Sequence, residues 1–419
     1  ATVFFGLQMF IKQYLLKPFS RADVDEAEEI AALHGVPFNR AGWDYILEKY
    51  DGFLPIEIQA LPEGMVVPVK NALVQVVNTD PECAWLTSYV ETALLRAVWY
   101  PTTVATLSYA CKQVIRRYLE ETAESVEGLP FKLHDFGARG ATCEEAAAIG
   151  GLGHLVNFMG SDTMSAVVAA RRFYNEKMAA FSIPAAEHST ITSWGRDGEK
   201  DAYANMLKQF AGSGKLVAVV SDSYDLFNAI DNLWGGELRS QVEQSGGTLV
   251  VRPDSGEPVE IVSAAIERLM AKFGFRVNGK GYKVLPDCVR VIQGDGISLV
   301  SLEAILAEMK RRGLSADNIA FGMGGELLQK LNRDTQKFAM KASSACVNGV
   351  WRDVFKDPAT DPGKRSKRGR LAVIRNAAGV LETIREDELN GRDNLLRAVF
   401  RNGDLIVDEN LAVIRARAV

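Results

Sequence analysis

The sequence predicts an α/β fold: an irregular (β/α) barrel with a second α+β domain made from both chain ends. Three observations predict it. From about residue 129 a unit recurs in which a short β-rich run ends in a polar, Gly-containing cluster and an amphipathic helical stretch follows. The runs are continuously apolar rather than alternating, as in parallel strands covered on both faces. The two chain ends have a different character, helical before about residue 128 and strand-like after about residue 340.

The runs are "FKLHDFGARG" (131–140), "HLVNFMGSDT" (154–163), "FSIPAAEHST" (181–190), "KLVAVVSDSYD" (215–225), "GTLVVRPDSG" (247–256), "CVRVIQGDG" (288–296) and "NIAFGMGG" (318–325). Between them, "PVEIVSAAIERLMAKFG" and "SLVSLEAILAEMKRRG" place apolar residues at i, i+3, i+4 and i+7, and each closes on basic residues and a glycine. About seven such units close naturally into a barrel, which brings every polar cluster to the C-terminal rim. An open doubly wound sheet is the competing topology, but no GxGxxG fingerprint follows the first run. The barrel is assigned to 129–340. The flanking domain is assigned to 1–128, with helices such as "SRADVDEAEEIAALHG", plus 341–419, with turns at "NAAG" and "RNGD".

The opening "ATVFFGLQMFIKQYLLKPFS" is read as an amphipathic helix rather than a signal peptide. It lacks a basic start and a small-residue cleavage site, and Gln8, Lys12 and Gln13 interrupt its apolar run. It begins at Ala inside a hydrophobic element, so an upstream segment is expected. No run reaches the ~18 apolar residues of a membrane span. A net charge of −5 argues against a general nucleic-acid binder. Five scattered cysteines without a CxxC pair offer neither a disulfide framework nor a zinc site, and fit a reducing cytoplasm.

The clusters gather Asp135, Phe136, Arg139, Asp162, Glu187, His188, Asp222, Arg252, Asp254, Asp295 and Gly294, Gly296, Gly324 and Gly325 on one rim. Singly, an Asp after a strand is by default a helix N-cap, and "GDG" is a turn. Jointly, carboxylates, two arginines and Gly-rich turns suit a polyphosphorylated sugar with a divalent cation. Arg grips phosphate bidentately, Gly-rich turns cradle it, and Asp oxygens suit Mg²⁺. His188, one of four histidines, is by itself equally a turn residue.

In order and spacing, "LHDFGARG", "PAAEHSTITSWG", "VVSDSYD", "RPDSG", "RVIQGDG", "AFGMGGELLQKLNRD" and "VFKDPATDPGKRSKRGR" resemble the nicotinamide phosphoribosyltransferases, a type II phosphoribosyltransferase family. The resemblance runs from the first residues to the basic loop near 370, and more weakly to the C-terminus. It implies an irregular α/β barrel and a homodimer with active sites at the interface. The implied reaction moves phosphoribosyl from phosphoribosyl pyrophosphate to nicotinamide, giving nicotinamide mononucleotide and pyrophosphate. Mg²⁺ would be the cofactor and ATP a co-substrate; the metal ligands stay unassigned.

Position by position, the resemblance implies that Phe136 stacks on nicotinamide, though a core aromatic is the alternative. Arg139 and Arg252 would contact phosphates or the carboxamide, and Asp162 would accept from the carboxamide NH₂. Asp254, Gly294 and Asp295 would hold ribose hydroxyls, and Gly324 and Gly325 the 5′-phosphate. Arg333, Lys341, Lys356 and Lys364 would supply positive charge, several from a second subunit. His188 would be phosphorylated by ATP, with Asp222 orienting it and Glu187 adjacent. Ala339 stands where the family can carry a phosphate-touching hydroxyl. The family's opening segment, which brings an aromatic residue across the dimer interface, is not among these 419 residues; its deletion would put activity in doubt. Three rivals remain: a nicotinate phosphoribosyltransferase of the same fold, a non-catalytic binding or signalling protein on the same scaffold, and a barrel enzyme acting on some other sugar phosphate.

Overall fold

The computed structural model describes residues 1–360 and 365–419. It divides into two compact units, one of residues 1–106, 169–177 and 332–419, the other of residues 107–168 and 178–331.

The second unit holds the recurring pattern. Strands β1 (Leu133–Asp135), β2 (Gly160–Ser161), β3 (Leu216–Val220), β4 (Thr248–Arg252), β5 (Val289–Gln293) and β6 (Ile319–Met323) form one sheet in the order β2-β1-β6-β5-β4-β3. Every neighbouring pair is parallel. The two edges meet through the strap 181–185, where Phe181 bridges Gly160 and Ala185 bridges Ala218. Ser161 N–H donates to Phe181 O at 3.1 Å and Ala218 N–H to Pro184 O at 2.9 Å. The sheet therefore curls back on itself as an irregular barrel. The strap forms isolated bridges rather than a ladder, and Pro184 has no N–H to donate to one.

Two helices show how local sequence sets this layout. Pro258–Phe273 starts with proline in its first turn, and Gly274 follows at φ 83°. Leu299–Arg311 carries a capping box between Ser298 and Ser301, and buries Leu302, Ile305, Leu306 and Met309. Both match the helical stretches read from the periodicity. The run from His154 gives only a two-residue strand, because His154 and Leu155 close the helix Glu144–Leu155. Along the strands Val217, Val219, Val251 and Val291 are fully buried. The alternating Ala218, Val250 and Ile292 cluster with the half-buried Phe136, Ile183 and Ala320.

In the first unit, Ile56–Ala60 is flanked by Val74–Asn78 and Arg397–Arg401, and Asp404–Leu405 completes a four-stranded antiparallel sheet. The turn at "RNGD" forms as read, with Asn402 at φ 49° and Gly403 at φ 94°. The opening segment is helical only from Leu7 on. Thr2–Val3 is a strand paired with Val66–Val67, and Gly6 turns the chain at φ 106°. A Cβ at Gly6 would lie 2.3 Å from Pro101, so the chain can turn there only with glycine.

The same unit buries Glu63, whose carboxylate accepts from Gly6 N–H (3.2 Å), Gln8 N–H (2.7 Å) and the Tyr174 hydroxyl (2.9 Å). Burial pushes its carboxyl up to about 7. Among the described residues, no helix is long and apolar enough to cross a membrane.

Candidate active site

The polar clusters stand where the strands of the barrel end. Phe136 follows β1, and its ring packs where any side chain larger than glycine would collide. A Cβ at Gly322 would lie 2.0 Å from the ring, and one at Gly294 3.3 Å. Two glycines on β6 and after β5 thus make room for one aromatic ring. The Arg252 guanidinium, at the end of β4, sits 5.7 Å from the ring centroid.

Arg252 is held by Asp254, whose Oδ1 accepts from Nε at 3.1 Å and Nη2 at 2.9 Å. The other oxygen of Asp254 is 3.3 Å from His188 Nε2. Asp222 Oδ1 stands 3.8 Å from the same nitrogen. Both neighbours of Nε2 are acceptors, so the fitting tautomer carries its proton there. Nδ1 then accepts from the Ser223 hydroxyl at 3.2 Å. Phe136, Arg252, Asp254, His188 and Asp222 form one unbroken chain of contacts from an aromatic ring to a half-exposed imidazole.

Asp222 is itself nearly enclosed, its side chain 4% exposed. Its Oδ2 accepts from Asp254 N–H at 3.1 Å and from the Ser255 hydroxyl. Glu187 occupies the N-cap position of the short helix His188–Thr192 without a side-chain capping bond, and it is exposed.

Around Phe136, Asp135 is fully buried, and its Oδ1 accepts from Gly137 N–H at 2.7 Å. Burial raises this carboxyl to about 6. Asp162, exposed after β2, accepts from the Ser182 hydroxyl. The amide of Thr163 is taken by Ser161 Oγ at 3.0 Å. His134 packs over Gly160 and is 6.2 Å from the Phe136 ring, and burial lowers its proton affinity.

Arg139 is exposed in the turn Ala138–Gly140. Asp295 is exposed after β5, beside Gly296 at φ 66°. Gly324 precedes the single helical turn Gly325–Leu328, whose first amides have no intrahelical acceptor. A Cβ on Gly137 would reach 2.9 Å from Gly324 O, so the loops after β1 and β6 touch.

Arg333, Lys341 and Lys356 belong to the first unit. Arg333 pairs with Asp334 at 3.1 Å, and Lys356 N–H donates to Ser366 Oγ. Lys364 lies outside the described residues. Among the described residues, no group of three or more His, Cys, Asp or Glu could hold a metal ion.

The sequence reading passed over Ser223, Ser255, Ser182 and Gly322. A serine in a Gly-rich turn carries no signal of its own, although Ser223 and Ser255 each directly follow a singled-out Asp. Gly322 lies two residues before Gly324, and only its contact with Phe136 marks it.

Residues 131–404 match the model of the nicotinate phosphoribosyltransferase (NAPRTase) family. Residues 1–58 match that of the nicotinamide phosphoribosyltransferase N-terminal domain. The chain is 53% identical to a nicotinamide phosphoribosyltransferase of Xanthomonas campestris pv. campestris over 100% of its own length and 90% of that protein's. It is 32% identical to one from Acinetobacter baylyi, over 99% and 88%. Among solved structures, nicotinate-nucleotide pyrophosphorylase from Pyrococcus furiosus superposes with a TM-score of 0.56 at 15% identity, covering 98% of this chain and 95% of that one. Human nicotinic acid phosphoribosyltransferase gives 0.55 at 16%, over 100% and 85%. Those two structures share the fold.

Proposed function

Because this chain belongs to the nicotinate phosphoribosyltransferase family, we propose that it transfers phosphoribosyl from phosphoribosyl pyrophosphate to nicotinamide, with ATP-dependent phosphorylation of His188 driving the reaction. The observation that carries this reading is the unbroken chain Phe136–Arg252–Asp254–His188–Asp222 on the barrel rim. It sets an aromatic surface for a planar base beside a guanidinium for phosphate, and both beside a histidine held by carboxylates.

In the transfer, the bond from ribose C1 to pyrophosphate breaks and a bond from C1 to the pyridine nitrogen forms. C1 gains oxocarbenium character as the leaving group gains charge. The nucleophile is a neutral ring nitrogen, so it needs positioning rather than a base. Phe136 supplies the stacking surface. Arg252 and Arg139 stabilise phosphate charge, and Asp254, Gly294 and Asp295 orient the ribose. Gly324 and Gly325 present backbone amides to the 5′-phosphate. Arg333, Lys341, Lys356 and Lys364 add positive charge, several of them across a homodimer interface.

Mg²⁺ would enter with the substrate phosphates and several waters, and it would supply neutralisation of the charge growing on the pyrophosphate.

In the driving step, the γ-phosphoryl group of ATP moves to a ring nitrogen of His188 and ADP leaves. A histidine accepts a phosphoryl group when one nitrogen is free and the other is held by a carboxylate. Here Nε2 is the held one, and Nδ1 would attack once the Ser223 hydroxyl turns away from it. Glu187, exposed, directly precedes His188 in the chain.

The relatives named above and the model matching residues 1–58 bear the nicotinamide name, while the model matching residues 131–404 bears the nicotinate name, so an assay with both bases tests the assignment. The purified chain is expected to form nicotinamide mononucleotide from nicotinamide and phosphoribosyl pyrophosphate, with a yield that rises when Mg·ATP is added. Preferential use of nicotinate would overturn the base assignment. Absence of product with either base would favour a binding role on the same scaffold.

A further inference from the structure

The buried carboxylate of Asp222 has two unlike ends. Its Oδ2 has two donors, the Asp254 amide at 3.1 Å and the Ser255 hydroxyl. Its Oδ1 is buried and has no hydrogen-bonding partner among the described residues, and it faces His188 Nε2 from 3.8 Å. A buried acceptor without a donor is costly and calls for an explanation. Asp254, the nearer carboxylate, already shares its other oxygen with the Arg252 guanidinium. Oδ1 of Asp222 is therefore a second acceptor beside the imidazole, after Asp254 Oδ2, and the buried one that has no donor of its own.

We propose that Ser255 is a positioning residue for phosphorylation of His188: its hydroxyl locks Asp222 in the rotamer that keeps Oδ1 aimed at the imidazole. The backbone amide alone leaves the carboxylate free to turn about the bond to its Cβ. A second donor, on a different vector, stops that rotation. The turn that delivers the hydroxyl is itself fixed. Gly256 stands at φ 93°, and a Cβ there would reach 2.7 Å from Ile261. As the imidazole binds phosphorus, its Nε2–H becomes a stronger donor, and Oδ1 of Asp222 takes it up. The hydroxyl of Ser255 is directed at Asp222 and not at the ring, so it acts through the aspartate and not on the substrate.

This role rests on the phosphohistidine reading, and the test separates the two. The full chain, Ser255→Ala and Ser255→Thr are each incubated with Mg·ATP, and acid-labile phosphate on the protein is followed with time. Transfer from phosphoribosyl pyrophosphate to nicotinamide without ATP is measured alongside. Ser255→Ala is expected to form phosphoenzyme about tenfold more slowly, the size of effect of one hydrogen bond to a charged group. Ser255→Thr, which keeps the hydroxyl, recovers most of the rate. ATP-free transfer is the same in all three. Phosphoenzyme forming at the wild-type rate in Ser255→Ala overturns the inference alone. So does an equal loss of ATP-free transfer, which would mark general damage to the rim. No phosphoenzyme in the wild-type chain overturns the phosphohistidine reading, and the role of Ser255 with it.

Discussion

His188 lies nearer to Asp254 than to Asp222, 3.3 Å against 3.8 Å from the same ring nitrogen. Asp254 in turn holds the Arg252 guanidinium with its other oxygen. One carboxylate thus links the imidazole to the arginine that flanks the Phe136 ring, and the predictions below follow from that linkage and its surroundings.

Replacing His188 by Ala is expected to bring the ratio of ATP-stimulated to unstimulated product yield down to one. In the proposed mechanism the imidazole drives the reaction and forms no bond to the ribose. Endpoint yields with and without Mg·ATP check this, and a mutant still stimulated by ATP would return His188 to a turn residue.

Arg252→Ala removes a guanidinium that holds Asp254 and, in the proposed reaction, would also serve the phosphate. Losing such a contact typically costs about 2–4 kcal/mol of transition-state stabilisation, a hundredfold or more in kcat/KM. Arg252→Lys recovers little, since an ammonium cannot reproduce the two-nitrogen grip on Asp254. Steady-state kinetics with phosphoribosyl pyrophosphate as the varied substrate measure both.

Asp162 is expected to choose the base. Its carboxylate accepts from Ser182 and keeps acceptor capacity for a carboxamide NH₂, while it repels a second carboxylate. Asp162→Ser keeps a small polar group and removes the charge. The ratio of efficiencies for nicotinamide over nicotinate is then expected to fall, by less than for a buried carboxylate because Asp162 is exposed. An unchanged ratio in competition assays would remove Asp162 from base selection.

A homodimer with shared sites predicts complementation. Arg333→Ala and Phe136→Ala, each inactive, should on mixing with random subunit exchange regain about a quarter of wild-type activity, if every site draws one of these residues from each chain. Demonstrated exchange without recovery would place both residues in the same chain's site.

Stability should carry the signature of Glu63. Burial raises its folded-state value from 4.5 to about 7, so the folded protein binds the proton more tightly than the unfolded chain. Its favourable contribution is fully present below about 4.5 and is lost as pH rises to about 7, amounting to roughly 3 kcal/mol over that window. Glu63→Gln removes this slope. Denaturant melts of both proteins from pH 4.5 to 8 should show the difference between them shift steadily and level off above about 7. A constant difference would mean that the carboxylate is ionised throughout.

Much of the fold was legible in the sequence because its signals are local. The helix Leu299–Arg311 announces itself through Ser298 and a period of 3.6, and the strand Leu216–Val220 through five apolar residues in a row. Where competing signals overlap, local reading falters. The run from His154 is apolar enough for a strand, yet it is the end of a helix, and the extended Thr2–Val3 hides at the head of an amphipathic pattern.

By itself, the sequence determined the order of strands and helices and the polar cluster at the end of each strand. Connection geometry then allows few arrangements, and strand ends share one rim. Which residues on that rim meet was decided only by the tertiary structure. His188 and Asp254 are 66 positions apart in the chain. The half ångström that favours Asp254 over Asp222 depends on the stagger of β3 against β4 and on a strap held by isolated bridges. The same is true of Ser255 beneath Asp222 and of Gly322 beneath Phe136. A hydroxyl or a missing side chain acquires meaning from what lies within 3 Å of it. Periodicity is carried by neighbours in the sequence, whereas a contact between loops is set by packing of the whole barrel.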